Sequence, residues 1–136
     1  HMRGLKDFPM DPKLKKYIVW KSWWDTIDSF DKIVGAIALN YPEVNEVLLE
    51  WSRDDNFWLR RVAIDHQLLR KEKTNKELME KILINNLNQK EFFINKAIGW
   101  ALRDYSKTNP EWVRTFIENN KEKMSKLSIK EGSKYI

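Results

Sequence analysis

Three segments of the sequence combine an aromatic residue with a charged residue at helical spacing. Trp24 lies four positions before Asp28, and Trp58 lies three positions before Arg61. Residues three or four apart share one face of an α-helix. The third segment contains Phe93, Lys96, Trp100 and Arg103. Aromatic faces attract cations, arginine and lysine bind anions, and a carboxylate stabilises positive charge. The segments therefore predict a site for an electron-poor or cationic group beside a polyanion.

Each of these residues also has a purely structural interpretation. Tryptophans at helical spacing are more often core residues than ligand platforms. Arg61 and Lys96 are also compatible with ordinary charges on a helix surface. Asp25 lies near a helix start, where a carboxylate interacts favourably with the helix dipole. Asp28 lies deeper in the predicted helix, where the dipole does not explain an inward-facing carboxylate. His66 is predicted to be structural.

The charged and aromatic segments belong to helices that alternate with a second set. Helical-period patterns run over residues 12–20, 23–39, 43–52, 57–71, 75–87, 91–106, 110–120 and 128–135. No segment alternates with a period of two, so the sequence predicts an all-α fold. Trp24, Trp58 and Phe93, which lead the charged and aromatic helices, are spaced by 34 and 35 positions. Such a step is typical of stacked helical repeats with a concave binding surface, and a compact helical bundle is the alternative.

Capping residues indicate where several helices begin. Asn56 and the pair Asn109-Pro110 are typical helix starts. A Ser or Thr followed three positions later by Glu forms a capping box. The two predicted boxes are Thr74 with Glu77 and Ser128 with Glu131.

The composition excludes several kinds of site. The chain has no cysteine, which rules out disulfides, cysteine-based zinc sites and iron–sulfur clusters. Residues 1–2 read as the remnant of an expression tag, which leaves one histidine, so we predict no metal site. No apolar run approaches the roughly 18–20 residues that span a bilayer. With no visible secretory signal, the sequence predicts a cytoplasmic protein without a membrane partner.

The charge balance permits a polyanionic partner. The 136 residues include 25 Lys and Arg against 20 Asp and Glu, a net charge of +5. The length is typical of one domain or of part of a larger protein. An excess of this size is compatible with nucleic-acid binding, but an ordinary mixed-charge surface is the alternative.

The motif around Asp28 resembles the signature of a known family. Residues 21–28, KSWWDTID, resemble the SWWDxxD signature of the bacterial DNA alkylation repair proteins, the HEAT-like-repeat alkylpurine DNA glycosylases. Two further blocks, Asn56–Ile64 and Glu91–Tyr105, agree with the family in order and spacing. The tail Leu127–Glu131 also fits. The resemblance covers nearly all of the chain from about residue 12 to its end.

The resemblance implies a fold and an activity. The fold is an all-α, right-handed α-α superhelix of HEAT/ARM-like repeats over residues 3–136, expected to be the C-terminal part of a longer DNA glycosylase. The activity is excision of cationic N3- and N7-alkylated purines from duplex DNA by hydrolysis of the N-glycosidic bond, by a monomer without metal or organic cofactor. Matching motif positions assign the family's key residues to Trp24, Asp28, Arg61 and Trp100.

The implied roles are chemically coherent. Asp28 would stabilise positive charge on the deoxyribose and act on water, while Trp24 and Trp100 would contact the cationic nucleotide. Arg61 would hold a phosphate. Lys96 and Arg103 are predicted as further phosphate contacts. The alternatives are a non-catalytic DNA-binding module, a protein–protein scaffold, and a glycosylase fragment made inactive by N-terminal truncation.

Overall fold

The structure is a computed structural model that describes residues 27–136, with side chains from residue 30 onward. The tag remnant at residues 1–2, the helix predicted over residues 12–20 and Trp24 lie outside these residues. Between residues 27 and 136 the chain forms helices and turns and contains no strand. The predicted all-α architecture of helical repeats is therefore confirmed.

Seven α-helices occur between residues 27 and 136. They are α1 Ile27–Asn40, α2 Asn45–Trp51, α3 Phe57–Asp65, α4 Lys76–Ile84, α5 Phe92–Ser106, α6 Pro110–Asn120 and α7 Lys126–Gly132. Short 3-10 turns occupy Pro42–Val44, Lys71–Lys73 and Lys121–Lys123. Helices α3 and α5 begin at the aromatic residues Phe57 and Phe92, as the spacing of the aromatic residues predicts.

The helices form two layers around one apolar core. In the first layer α1 packs on α3 and α3 packs on α5. In the second layer α2 packs on α4, and α6 lies against α5 and α7. The largest fully buried side chains lie between the layers and include Leu48, Leu59, Leu83, Ile98 and Leu102. Burial of apolar surface between stacked repeats is the main stabilising term for such an array.

Two of the predicted helix starts are confirmed by their caps. The side-chain oxygen of Asn56 accepts a hydrogen bond from the backbone N–H of Trp58 at 2.9 Å. The side-chain oxygen of Asn109 accepts one from Trp112 at 3.1 Å, and Pro110 is the first residue of α6. Each cap satisfies an N–H group that the first helical turn leaves without a partner.

The two predicted capping boxes are wrong. Helix α4 is capped by Asn75, which accepts from the Leu78 N–H at 3.1 Å, because Thr74 is extended and closes the preceding 3-10 turn. Helix α7 is capped by Ser125, which accepts from the Ser128 N–H at 3.0 Å. The hydroxyl of Ser128 is buried and donates to the Asn95 carbonyl of α5 at 2.7 Å instead.

Helix α3 is shorter than the pattern over residues 57–71 predicts. It ends at Asp65 and is followed by a turn over residues 66–70, which we call the inter-repeat turn. Leu69 in this turn has a positive φ angle of 68°, and Lys71, the first residue after the turn, has one of 56°. These left-handed conformations end the helical path without the glycine that usually signals such an end.

The inter-repeat turn is bonded to both neighbouring helices of its layer. The Leu69 N–H donates to the Asp104 carboxylate of α5 at 2.9 Å. The Arg70 guanidinium donates to the Gly35 carbonyl of α1 at 2.7 Å. Each bond joins residues 35 positions apart in the chain. These two bonds hold α1 and α5 in register on either side of α3.

Gly35 permits the close packing of α1 on this turn. A Cβ atom at position 35 would lie 2.1 Å from the backbone carbonyl oxygen of His66. No side chain fits at that distance from a backbone atom. The glycine is therefore required by the approach of the two segments.

Candidate functional site

A groove of about 1130 Å³ is lined by one face each of α1, α3 and α5, together with the inter-repeat turn. Four of the predicted site residues line it: Arg61, Lys96, Trp100 and Arg103. Arg61 comes from α3, and the other three come from α5. The structure thus brings together all of the predicted site residues whose side chains it describes. Their individual roles stay predictions.

Position 28 belongs to the helix that forms the third wall of the groove. Asp28 belongs to α1, and its side chain is outside the described residues. Asp31, Lys32 and Gly35 follow it by three, four and seven positions, and all three line the groove. Positions at this spacing share one face of an α-helix. Position 28 is therefore in register with the groove-lining face of α1.

The groove lining is cationic. Its basic residues are Lys32, Arg61, Arg70, Lys73, Lys96, Arg103 and Lys107. Its acidic residues are Asp31, Asp65 and Asp104. A concave surface with an excess of positive charge concentrates and steers a polyanion, and its attraction weakens as salt is raised.

One face of α5 supplies most of the candidate site residues. Lys96, Trp100, Arg103 and Lys107 are spaced by four, three and four positions, so they form a stripe along that helix. The opposite face is buried in the core and carries Ile94, Ile98 and Leu102. The burial of one face therefore directs the other into the groove. Trp100 remains 43% exposed, unlike a core tryptophan.

Lys96 is well suited to bind an anion. Its side chain is exposed, and its ammonium nitrogen lies 5.8 Å from the centre of the Phe92 ring. Within residues 30–136 no carboxylate forms an ion pair with it. The ammonium charge of this lysine therefore faces solvent and any ligand in the groove.

Arg61 is oriented by its neighbours on α3. Its Nε lies 3.4 Å from the Asp65 carboxylate one helical turn later. Its guanidinium carbon lies 5.7 Å from the centre of the Trp58 ring. These contacts fix the guanidinium at the groove wall, while the rigid fork of donors still suits a phosphate.

The leading aromatic residues of α3 and α5 pack against each other at one end of the groove. The Phe93 ring lies 6.0 Å from the Phe57 ring and 5.7 Å from the Trp58 ring. Trp58 is half-buried in this cluster. The aromatic residues that mark the repeat in the sequence thus stabilise the contact between successive repeats.

Arg103 contacts an aromatic ring of α5 and two polar side chains near the end of the chain. Its guanidinium carbon lies 4.4 Å from the centre of the Trp100 ring. It donates hydrogen bonds of 3.1 Å to the Glu131 carboxylate and to the Tyr135 hydroxyl. The bond from Arg103 lowers the pKa of the Tyr135 phenol, and the same bond raises the pKa of Arg103.

His66 is a buried structural residue beside the groove. Its Nδ1 lies 2.6 Å from the Ala63 carbonyl oxygen, so the Nδ1–H donates there. Burial lowers the pKa of His66 to about 3, and the imidazole is neutral at pH 7. It therefore adds no positive charge to the groove.

The pKa of His66 predicts how stability depends on pH. A histidine whose folded pKa lies below 6.5 contributes stability above pH 6.5, and loses it as pH falls from 6.5 towards 3. We expect the free energy of unfolding to drop by about 1.4 kcal/mol between pH 7.5 and 5.5 from this group. Urea denaturation at both pH values measures the drop. His66→Gln should remove most of it, and an equal drop in both proteins would contradict the prediction.

Sequence reasoning missed several groove residues. Lys107 continues the α5 stripe four positions after Arg103, a signal that the helical period already contained. Arg70 lines the groove and also donates to the Gly35 carbonyl of α1. The hydrogen bond from the Leu69 N–H to Asp104 depends on a left-handed turn conformation that no glycine marks in the sequence.

The described part of the chain contains neither a cluster of metal ligands nor a membrane-spanning helix. No group of three or more His, Asp or Glu side chains between residues 30 and 136 is arranged to hold a metal ion. No helix over the same part of the chain is long and apolar enough to cross a membrane.

Comparisons with known proteins agree with the resemblance in the motifs. Residues 4–136 match the family described as DNA alkylation repair enzyme. The chain is also similar to a solved structure, a predicted DNA alkylation repair enzyme from Enterococcus faecalis, with 38% identity and a TM-score of 0.83. The match covers 100% of this chain and 61% of that one, so this chain spans less than two thirds of its relative. No curated protein matches this chain. The chain belongs to the DNA alkylation repair enzyme family.

Proposed function

We propose that the groove binds duplex DNA and that the protein excises cationic N3- and N7-alkylated purines by hydrolysing the N-glycosidic bond. One observation carries the proposal. Cationic and aromatic side chains of α3 and α5 converge on a single groove whose third wall is α1, the helix that contains Asp28. Membership of the DNA alkylation repair enzyme family supports the same substrate.

Asp28 is the proposed catalytic residue. Alkylation at N3 or N7 makes the purine a cation, and a cationic purine is already a good leaving group. The remaining barrier arises from the oxocarbenium-like charge that develops on the deoxyribose. A carboxylate near C1′ stabilises that charge and accepts a proton from the attacking water.

Trp100 and Trp24 are the proposed contacts to the cationic nucleotide. The Trp100 ring is exposed in the groove on the stripe between Lys96 and Arg103. An aromatic face attracts a cation by about 0.5–2 kcal/mol, more when water is excluded. A neutral purine lacks this attraction, so the same contact favours the alkylated base.

Arg61 and Lys96 are the proposed phosphate contacts. They lie on adjacent helices at equivalent positions of successive repeats and line the same groove. Contacts of this kind position the duplex without reading its sequence. This suits an enzyme whose lesions occur in any sequence. Arg103 lies on the same stripe, and its predicted phosphate contact is weakened by its bond to Glu131.

Removing a phosphate contact should reduce both affinity and its dependence on salt. For Lys96→Gln or Arg61→Ala we expect the slope of log K against log salt to fall by about 1. Fluorescence anisotropy with a labelled duplex at several salt concentrations measures the slope. Lys76→Gln, an exposed lysine at the start of α4, is the matched control. Equal slopes for Lys96→Gln and Lys76→Gln would contradict the assignment.

Release of the free base tests the proposed activity directly. The protein is incubated with a duplex that contains one N7-methylguanine and with the same duplex containing guanine. We expect release of N7-methylguanine above its spontaneous rate and no release of guanine. Binding without release would instead favour a non-catalytic DNA-binding module, and neither binding nor release would favour a protein–protein scaffold.

A further inference from the structure

The guanidinium of Arg103 is held from three sides. It stacks on the Trp100 ring at 4.4 Å and donates to Glu131 and Tyr135 at 3.1 Å each. The Tyr135 ring also lies 5.2 Å from the guanidinium carbon of Arg103. Only 17% of the Arg103 side chain is exposed, although it belongs to the groove-lining stripe. The side chain is therefore engaged by the protein itself.

The charge of Arg103 is compensated by Glu131. The two groups form an ion pair, whereas Lys96 on the same stripe has no such partner among the described carboxylates. A compensated guanidinium attracts phosphate less strongly than an exposed ammonium does.

The helix that carries Glu131 is locked onto α5. A Cβ atom at Gly99 would lie only 2.8 Å from the Cβ of Glu131. The Ser128 hydroxyl donates to the Asn95 carbonyl at 2.7 Å, one helical turn away. Helices α5 and α7 therefore approach closely, and the Glu131 carboxylate is presented to Arg103 from a fixed backbone.

We propose that Glu131 and Tyr135 are positioning residues that hold Arg103 against Trp100 and so fix the angle of the tryptophan ring in the groove. The inference rests on the proposed function for its effect on the reaction. Glu131 and Tyr135 thus contact Arg103, and Arg103 contacts Trp100 in the groove. Neither Glu131 nor Tyr135 lines the groove itself.

The kinetic test separates positioning from binding. For Tyr135→Phe, Glu131→Gln and Arg103→Lys, we expect kcat for N7-methylguanine release to fall by about three- to tenfold with KM nearly unchanged. Glu122→Gln is the control for the loss of one carboxylate, since Glu122 is exposed and lies outside the groove lining. It should leave kcat unchanged.

A second readout needs neither DNA nor activity. The emission of Trp100 is obtained as the difference between each protein and the same protein carrying Trp100→Phe. We expect acrylamide to quench this emission more strongly in Tyr135→Phe and Glu131→Gln than in the wild type. If no protein releases base, the proposed function fails, but the quenching still tests the contact between Arg103 and Trp100.

Two outcomes would overturn the inference. In the first, Tyr135→Phe and Glu131→Gln leave both kcat and the quenching of Trp100 unchanged. In the second, Arg103→Ala lowers the salt slope of DNA binding by about 1 while Tyr135→Phe has no effect on kcat. The second result would make Arg103 a direct phosphate ligand.

Discussion

Asp28→Asn is expected to lower the rate of N7-methylguanine release by about 10²–10³-fold, with little loss of affinity for the alkylated duplex. Asparagine keeps the shape of the side chain but removes the negative charge that stabilises the oxocarbenium-like sugar. It also cannot accept a proton from water. The cationic base and the phosphates still bind, because their contacts come from other residues. Single-turnover release and anisotropy measure the two effects separately.

The matched control for this substitution is Asp55→Asn. Asp55 is an exposed carboxylate outside the groove lining, and its loss changes the net charge by the same amount. We expect its release rate to equal that of the wild type. Full activity in Asp28→Asn would rule out the mechanism proposed above. Equal loss in both variants would show that net charge alone controls the rate.

Gly35→Ala is expected to lower the free energy of unfolding by about 3 kcal/mol. The added Cβ would lie 2.1 Å from the His66 carbonyl oxygen, a backbone atom that no side-chain rotation can move. Helix α1 must shift away from the inter-repeat turn, which also weakens the bond from Arg70 to the Gly35 carbonyl. The small gain in helix propensity from glycine to alanine does not offset this change.

Gly132→Ala provides the comparison for this prediction. A Cβ at Gly132 would lie 3.0 Å from the Leu102 Cβ, a tight contact but one that the neighbours can relieve. Urea denaturation should therefore show a much smaller loss for Gly132→Ala than for Gly35→Ala. The reverse order would mean that α1 does not approach the turn as closely as the structure shows.

Periodicity predicted the fold because stacked repeats reuse the same pattern. The starts of α3 and α5 at Phe57 and Phe92 follow from aromatic residues that contact one another across the repeat. The end of α3 could not be predicted, because Leu69 and Lys71 adopt positive φ without a glycine. Tertiary hydrogen bonds to α1 and α5 hold that turn together with its local bonds. The start of α7 was misassigned for the same reason, since Ser128 bonds another helix rather than capping its own.

The candidate site was easier to predict on its helices than between them. Lys96 and Trp100 share a helical face, so their spacing alone indicates a common surface. The contact of Arg103 with Tyr135 joins residues 32 positions apart and requires the packing of α7 on α5. No local pattern encodes that packing. The resemblance to the family identifies types of residue but does not say which charge is compensated.

The inter-repeat turn has a consequence for how the groove meets its ligand. Because Arg70 bonds α1 and Leu69 bonds α5, one short segment sets the separation of the two outer walls. Neither wall can move outward without breaking one of these two hydrogen bonds. We therefore expect the width of the groove to be the same in the free and bound protein. Under the proposed function, a duplex would then adapt its own curvature to the protein, so lesions that soften the helix would be engaged with less deformation energy.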